Sequence, residues 1–393
     1  MIIRFDAGGS VSWLQSQLDE YQCDPSIQAV MLFATSQNGW PEGWLDSLLQ
    51  RQRKPVFGGL FPMLIAQGDS HERGTLCIGL THRPDLLVLP ELSNPAQSLE
   101  QMVAEMPAAC HSLTRANATL MVLVDGLTTG ISRLVEALFN QCGLQMNILG
   151  GGAGAQNMQP AACIITPQGV LRDAALVARL ALGSGVGVAH GWAPMSASYT
   201  VTESEQNIIR SLDWQPALSV YHHELALHSN VALSEPSLPH QANAHPLGIS
   251  RMDSEVVVRD VIAADVDGGL ICLGEIPAGE FIHVLHASAA DLLTAARLAR
   301  DVAINELEEL EQLECHRSNI ALVFDSLSRA QFLGADMELE IALLSNNQQL
   351  DVFGVLTLGE IANSGKGYLE FYNKSCVLAC FAKPPLSIRL EQL

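Results

Sequence analysis

The chain has 393 residues, 48% of them hydrophobic and 16% charged, with a formal net charge of −21. This composition can bury more than one core, which points to two or three domains and argues against disorder. The negative balance repels a phosphate backbone and no Lys/Arg cluster is present to release counterions, so nucleic acids and anionic membrane surfaces are poor partners.

The start, Met1-Ile2-Ile3-Arg4-Phe5-Asp6, reaches polar residues at once and does not read as a signal peptide. No window has the roughly 18 uninterrupted apolar residues of a membrane span. The nine cysteines include no C-x-x-C pair, the pattern of reduced thiols in a cytoplasmic protein. Cys376 and Cys380, if on a strand, share one face as small core residues.

Along the chain, Ile27 to Ser36 reads as an apolar strand, Pro41 to Gln52 as a helix and Lys54 to Gly59 as a strand ending in glycines. The two strands stand about thirty residues apart, the scale of a β-α-β crossover. The phrase recurs in Thr119 to Gly126, the helix Ile131 to Cys142 with Gly143 as its stop, and Asn147 to Gly151. It recurs again in Ile320 to Phe324, Gln331 to Leu344 and Asp351 to Gly354. Each copy runs on into extended segments, Gly74 to Leu80, Ala162 to Thr166 and Lys374 to Phe381, as expected for antiparallel neighbours after a turn. The expected fold is α/β (mixed α+β), with two domains of β-α-β plus hairpin modules forming mixed sheets covered by helices. The boundary is placed where Leu212-Asp213-Trp214-Gln215-Pro216 breaks the pattern, giving domains 1–213 and 214–393. Ala217 to Ala244 reads as a looser connection, and Ala290 to Leu313 as an amphipathic helix.

Gly150 to Ala155 fits G-x-G-x-x-A after a strand, but the chain then turns into another strand instead of opening a helix. The free N–H groups that a pyrophosphate needs are therefore missing, and tight backbone approach is the better reading. In Gly183-Ser184-Gly185-Val186-Gly187-Val188-Ala189-His190 the glycines alternate and leave one strand face bare, where a planar ligand or another backbone can lie. His190, beside Trp192, is a candidate axial ligand for haem iron, against the reading of a hydrogen-bonded structural histidine. His245, held extended by Pro246, is the second choice. Any haem would be non-covalent, haem b, because no C-x-x-C-H occurs. His222, His223, Glu224 and His228 lack metal-ligand spacing and read as a surface cluster.

The last seventy residues carry the strongest signal. Val352 to Ile361 is an apolar run that also holds Thr357, Gly359 and Glu360, and a buried carboxylate must find a donor or be neutralised. A glycine-rich turn then leads to Phe371-Tyr372-Asn373-Lys374. If the third copy closes, Arg329 can bind a ligand carboxylate while Glu360 accepts from an ammonium, the pair an amino acid requires. Thr357, Gly359 and Asn373 complete this candidate site. The alternative is that Arg329 and Glu360 pair as an internal strut. Asp125 and Asp325 follow strands in matching copies and suggest a carboxylate pair or, more simply, helix caps. No serine, threonine or cysteine sits in G-x-S-x-G or another activated setting, so the chain reads as a binder and not an enzyme.

The segment Phe324-Asp325-Ser326-Leu327-Ser328-Arg329, with Val352 to Ile361 and Phe371 to Lys374, resembles the C-terminal domain of the FIST family. The likeness continues through His190-Gly191-Trp192-Ala193-Pro194, Val201-Thr202-Glu203, Leu212-Asp213, Pro216-Ala217, Tyr221 and His245 to Ile249. Gly150 to Gly154 is similar to the glycine-rich element of the family's N-terminal domain. Ser326 and Ser328 depart from it, standing where the family often shows Cys and Gly. Members are bacterial sensory proteins and eukaryotic F-box proteins, so the resemblance implies an input role in signalling with a small ligand, amino acids being the common suggestion. Some similar proteins bind haem and report nitric oxide to a partner histidine kinase or cyclic-di-GMP enzyme. The expectation is a cytoplasmic sensor acting through a separate effector, with a haem-based nitric oxide sensor and a non-catalytic scaffold as alternatives.

Overall fold

Three times along the chain one succession of elements recurs: strand, helix, strand, helical crossover, parallel strand, short hairpin, strand. The computed structural model describes residues 1–106, 117–143, 146–229, 238–251, 256–311, 317–346, 348–363 and 369–382. The first unit comprises Ile2–Asp6, helix Val11–Cys23, Ala29–Thr35, helix Trp44–Leu49, Val56–Phe61, the hairpin Met63–Ala66 with Asp69–His71, and Thr75–Leu80. The second comprises Asp85–Leu89, helix Leu99–Ala104, Thr119–Asp125, helix Ile131–Cys142, Asn147–Ala153, the hairpin Ile164–Thr166 with Gly169–Leu171, and Ala175–Leu180. The third opens with Ser184–Ala189 and, after a long insert ending in helix Ala289–Glu311, continues as Arg317–Ser326, helices Leu327–Leu333 and Met337–Leu344, and Asp351–Thr357. It closes with the hairpin Glu360–Ala362 and Glu370–Tyr372, then Cys376–Ala382.

Every unit builds a six-stranded sheet around its parallel pair. The unit's last strand lies antiparallel on one flank, and its opening strand lies outside that. The other flank is filled by a hairpin from a different unit: the second donates to the first, the third to the second and the first to the third. The exchange closes a ring, which is why the central strands are continuous apolar runs buried on both faces. Phe33, Leu123 and Phe324 occupy one register position and enter a common core, where Phe33 meets Phe61 at 5.4 Å and Phe324 at 6.1 Å.

Glycine marks the same register in all three pairs. Gly58 faces Leu32, Gly150 faces Val122 and Gly354 faces Val323. A Cβ there would lie 1.9, 1.8 and 1.9 Å from the partner's carbonyl oxygen, so no side chain fits. Counting from these glycines aligns Asp125 with Ser326 and Thr35, and Asp325 with Val124 and Ala34. The expected match of Asp125 with Asp325 is thus off by one residue, which in a strand means opposite faces.

The insert forms a nine-stranded sheet with its own core. Ala217 to Ala244, expected to be a loose connection, contains helices Ala217–Ser229 and Leu238–Ala244. Ala217, Val220, Tyr221 and Leu225 are buried at helical spacing, a pattern obscured in the sequence by the intervening histidines. The division at 213/214 falls in the turn between Ile208–Leu212 and Gln215–Pro216, and the two stretches of sequence interleave through the exchanged hairpins. No helix among the described residues is long and apolar enough to cross a membrane. Residues 312–313 of the expected long helix and the glycine-rich turn at 364–368 lie outside the described residues.

The bare face of Ser184–Ala189 is covered by helix Ala289–Glu311. Cβ atoms on Gly185 and Gly187 would sit 2.1 Å from the Ala303 carbonyl and 1.8 Å from the Ala299 carbonyl. A helix backbone therefore occupies the face that a planar ligand would need, and Ala189, Ala295 and Ala299 pack where the two cross. Gly187→Ala is expected to lower unfolding free energy by about 3 kcal/mol through overpacking. Urea denaturation measures it; an unchanged midpoint would refute this packing.

Candidate ligand-binding site

The parallel pair of the third unit ends at Ser326 and Thr357, which stand side by side, and helix Leu327–Leu333 starts at once. Asp325 occupies the position that is apolar in the other two units and is fully buried. Arg329, four residues on, has its Nε 3.6 Å from Asp325 Oδ1. It donates to both oxygens of Glu340, at 2.9 and 3.1 Å, and to the carbonyls of His190 at 2.7 Å and Leu292 at 2.5 Å. The guanidinium is fully buried and spent on the protein, so it has nothing left for a ligand carboxylate. It pairs with Glu340 and not with Glu360. Burial and the neighbouring Glu340 push the Asp325 carboxyl well above its usual range. Asp325, Glu340 and Cys376 offer ligand atoms within 4.8 Å of one another, but Arg329 already supplies the cation there.

Glu360 is also fully enclosed. Thr357 Oγ1 lies 2.7 Å from Glu360 Oε1 and 3.0 Å from the Asp325 carbonyl. A hydroxyl has one proton, so Thr357 shares it between the Glu360 carboxyl oxygen, the nearer acceptor, and the Asp325 carbonyl. Glu360 Oε2 accepts from the Ser375 N–H at 3.1 Å. Burial, opposed by the Thr357 bond, raises its pKa to about 8.

Lys374 comes from the loop before the last strand, with φ +53. Its buried Nζ lies 3.0 Å from Asp260 Oδ1, donates to Asn243 Oδ1 and stands 5.4 Å from the centre of the Trp192 ring. Burial lowers its pKa and Asp260 opposes the shift. Ser328 donates to the other oxygen of Asp260, and Ser326 Oγ lies 3.0 Å from Ser328 Oγ. Above this network is a cavity of about 170 Å³ where the second unit, the third unit and the insert meet. Its polar wall is Asp260, Ser326, Ser328 and Thr357 with the amides of Gln156, Asn243 and Gln331; Ile262, Leu273, Leu327 and Leu358 contribute apolar surface. It sits at the carboxyl ends of a parallel strand pair, a usual location for ligands in α/β sheets.

Of the expected site residues, Thr357 lines this cavity, whereas Arg329, Gly359, Glu360 and Asn373 do not. Asn373 accepts from the Asp260 N–H at 2.8 Å and so ties the insert to the third unit. Gly359 has φ +87 and its carbonyl accepts from Gly152 at 2.7 Å, locking the exchanged hairpin. His190 and His245 do not line it either. His190 Nδ1 accepts from the Trp192 N–H at 2.9 Å while the ring bonds the Val256 backbone, and burial with Arg329 nearby pulls its pKa to about 4. His245 Nδ1 lies 3.3 Å from the Leu285 carbonyl. With His190 buried, its Nδ1 committed to the Trp192 N–H, and the bare strand face covered by a helix, these residues do not fit haem. Glu224 accepts from Tyr199 and lies 3.4 Å from His228 Nε2, so the histidine-rich helix has a buried carboxylate at its centre. Sequence reasoning missed Asp260, Lys374, Asn243 and Glu340. The available signal was charge inside apolar runs, as in Val256-Val257-Val258-Arg259-Asp260-Val261 and Met337-Glu338-Leu339-Glu340-Ile341.

The profile of the FIST N domain matches residues 28–215 and that of the FIST C domain matches residues 217–363. The chain belongs to the FIST family. FIST domains are small-ligand sensory domains of signal transduction. No curated protein matches the chain. In this FIST protein the cavity receives residues from both matched domains, Gln156 and Met158 from the first and the remainder of its wall from the second.

Breaking the buried pair with Arg329→Met should cost about 3 to 5 kcal/mol, while Arg329→Met combined with Glu340→Leu should recover much of the loss; chemical denaturation of the three proteins measures this. Glu360 is protonated in the folded chain and ionised in the unfolded chain between about pH 4.5 and pH 8. The unfolded state binds fewer protons there, so stability falls as pH rises through that window and levels off above it. Glu360→Gln, which reproduces the neutral acid's donor and acceptor, should remove this part of the pH dependence in thermal melts.

Proposed function

We propose that this FIST protein is a receptor that binds a small molecule in the cavity above Ser326 and Thr357 and passes occupancy to a separate signalling partner without transforming the ligand. The observation that carries this reading is the convergence of seven polar side chains on a hollow bounded by three separately built parts of the fold. A ligand bridging those parts favours one arrangement over another, and a differential of about 1 to 3 kcal/mol is enough to bias a partner. The hydroxyls favour binding over chemistry: Ser328 is spent on a carboxylate already paired with Lys374. An amino acid would not find Arg329 there, because that guanidinium is sealed beneath the floor.

A thermal-shift screen of small metabolites on the full chain tests the reading. A bound ligand at a hundredfold excess over its Kd should add about 2.7 kcal/mol. Ile262→Trp, which fills the cavity from a half-buried edge position, should keep the fold by circular dichroism and lose the response. A screen without any stabilising compound would favour a scaffold role instead.

A further inference from the structure

The direction of each proton in the wall follows from its partners. Asp260 accepts from Lys374 and from Ser328, which uses the single Ser328 proton. The Ser326–Ser328 contact must then run from Ser326 to Ser328, which leaves Ser326 Oγ with lone pairs only to offer. Lys374 can only donate, so Asn243 presents its oxygen to Nζ and keeps its NH₂ for another acceptor. Among the described residues Asp260 is the one ionisable side chain on the wall, and Lys374 at 3.0 Å neutralises it. The Lys374 ammonium is itself divided among Asp260, Asn243 and the Trp192 face. A ligand anion finds no available cation here, and a ligand cation meets a carboxylate already compensated.

We infer that the cavity takes an uncharged ligand bearing hydroxyl or amide groups, which donates a hydrogen bond to Ser326 Oγ and accepts one from Asn243 Nδ2. This rests on the receptor reading above and adds the chemical class. The lining Leu273, Leu327 and Leu358 suit the carbon side of such a molecule.

Thermal shift on the full chain with millimolar D-ribose, glycerol and acetamide, against glutamate, putrescine and inorganic phosphate, tests the class. One or more of the uncharged probes should stabilise the protein, and the charged probes should not. In calorimetric titration of the responding probe, Ser326→Ala should weaken binding roughly fivefold, the worth of one neutral hydrogen bond. Asn243→Leu should weaken it by a similar factor. If glutamate, putrescine or phosphate stabilises the chain and Ile262→Trp abolishes that effect, the cavity is a receptor site but the ligand class is wrong. An unchanged affinity in Ser326→Ala overturns the donor assignment. If no probe of either class stabilises the chain, or if the response survives in Ile262→Trp, the receptor reading fails and this inference fails with it.

Discussion

Arg329 is the constraint on which the rest of the third unit depends. A guanidinium taken fully out of water is tolerated when its donors are met, and here they are met by Glu340, by the end of strand Ser184–Ala189 through His190, and by the long helix through Leu292. One side chain thereby ties its own helix to three other segments, two of them far away in sequence. Helix Leu327–Leu333 is held at the end of its strand, and Ser326 and Ser328, at its start, are fixed with it. The pair is better read as a device of geometry than of net stability, because a buried ion pair gives back in desolvation much of what it gains.

Charge balance around this anchor explains why so many acids can be enclosed together. Arg329 is matched by Glu340 and Lys374 by Asp260, while Asp325 and Glu360 are pushed toward their neutral forms. For Glu360 burial is the cause that raises the pKa, and the bonds it accepts from Thr357 and the Ser375 N–H oppose it. The two cations beneath the cavity are therefore each matched by one carboxylate.

The elements that sequence revealed are those with local causes. The second copy's helix is legible because its apolar period ends at Gly143, whose φ of +59 terminates it, and the three parallel pairs are legible because burial on both faces makes their strands continuous apolar runs. The exchange of hairpins is not legible: pairing of Ile164–Thr166 with Val56–Phe61 depends on where two distant strands meet, and no local pattern encodes it. The site divided in the same way. Thr357 stood out as a polar residue in an apolar strand, but Arg329 drew attention to Glu360 when its partner was Glu340, hidden on a helix. His190 beside a bare strand face suggested a ligand, and the face proved to be reserved for Ala299 and Ala303. The one-residue offset between Asp125 and Asp325 also required the register, which the glycines supply only once their partners are known.

Why the third of three similar strand ends carries a cavity of about 170 Å³ and the second one of about 70 Å³ follows from comparing them. In the first unit Thr35 donates to Asn38, which bonds the backbone of Gly74 in both directions, and Arg73 reaches the Asn38 carbonyl. In the second, Asp125 accepts from Leu127 and Asp173, and the Asp173 carboxylate turns back to Thr128 and Ser93. At both ends the residue two positions before the last strand bonds back within its own unit. The equivalent residue in the third unit is Lys374, with φ +53 against +50 for Asp173, and its side chain differs. Lys374 reaches out to Asp260 and Asn243 of the insert instead of closing its own strand end. That outward bond draws the insert over the carboxyl ends of the parallel pair and leaves Ser326 and Thr357 facing a roofed space. The long interruption between Ser184–Ala189 and Arg317–Ser326 is therefore what roofs the strand end of the third copy.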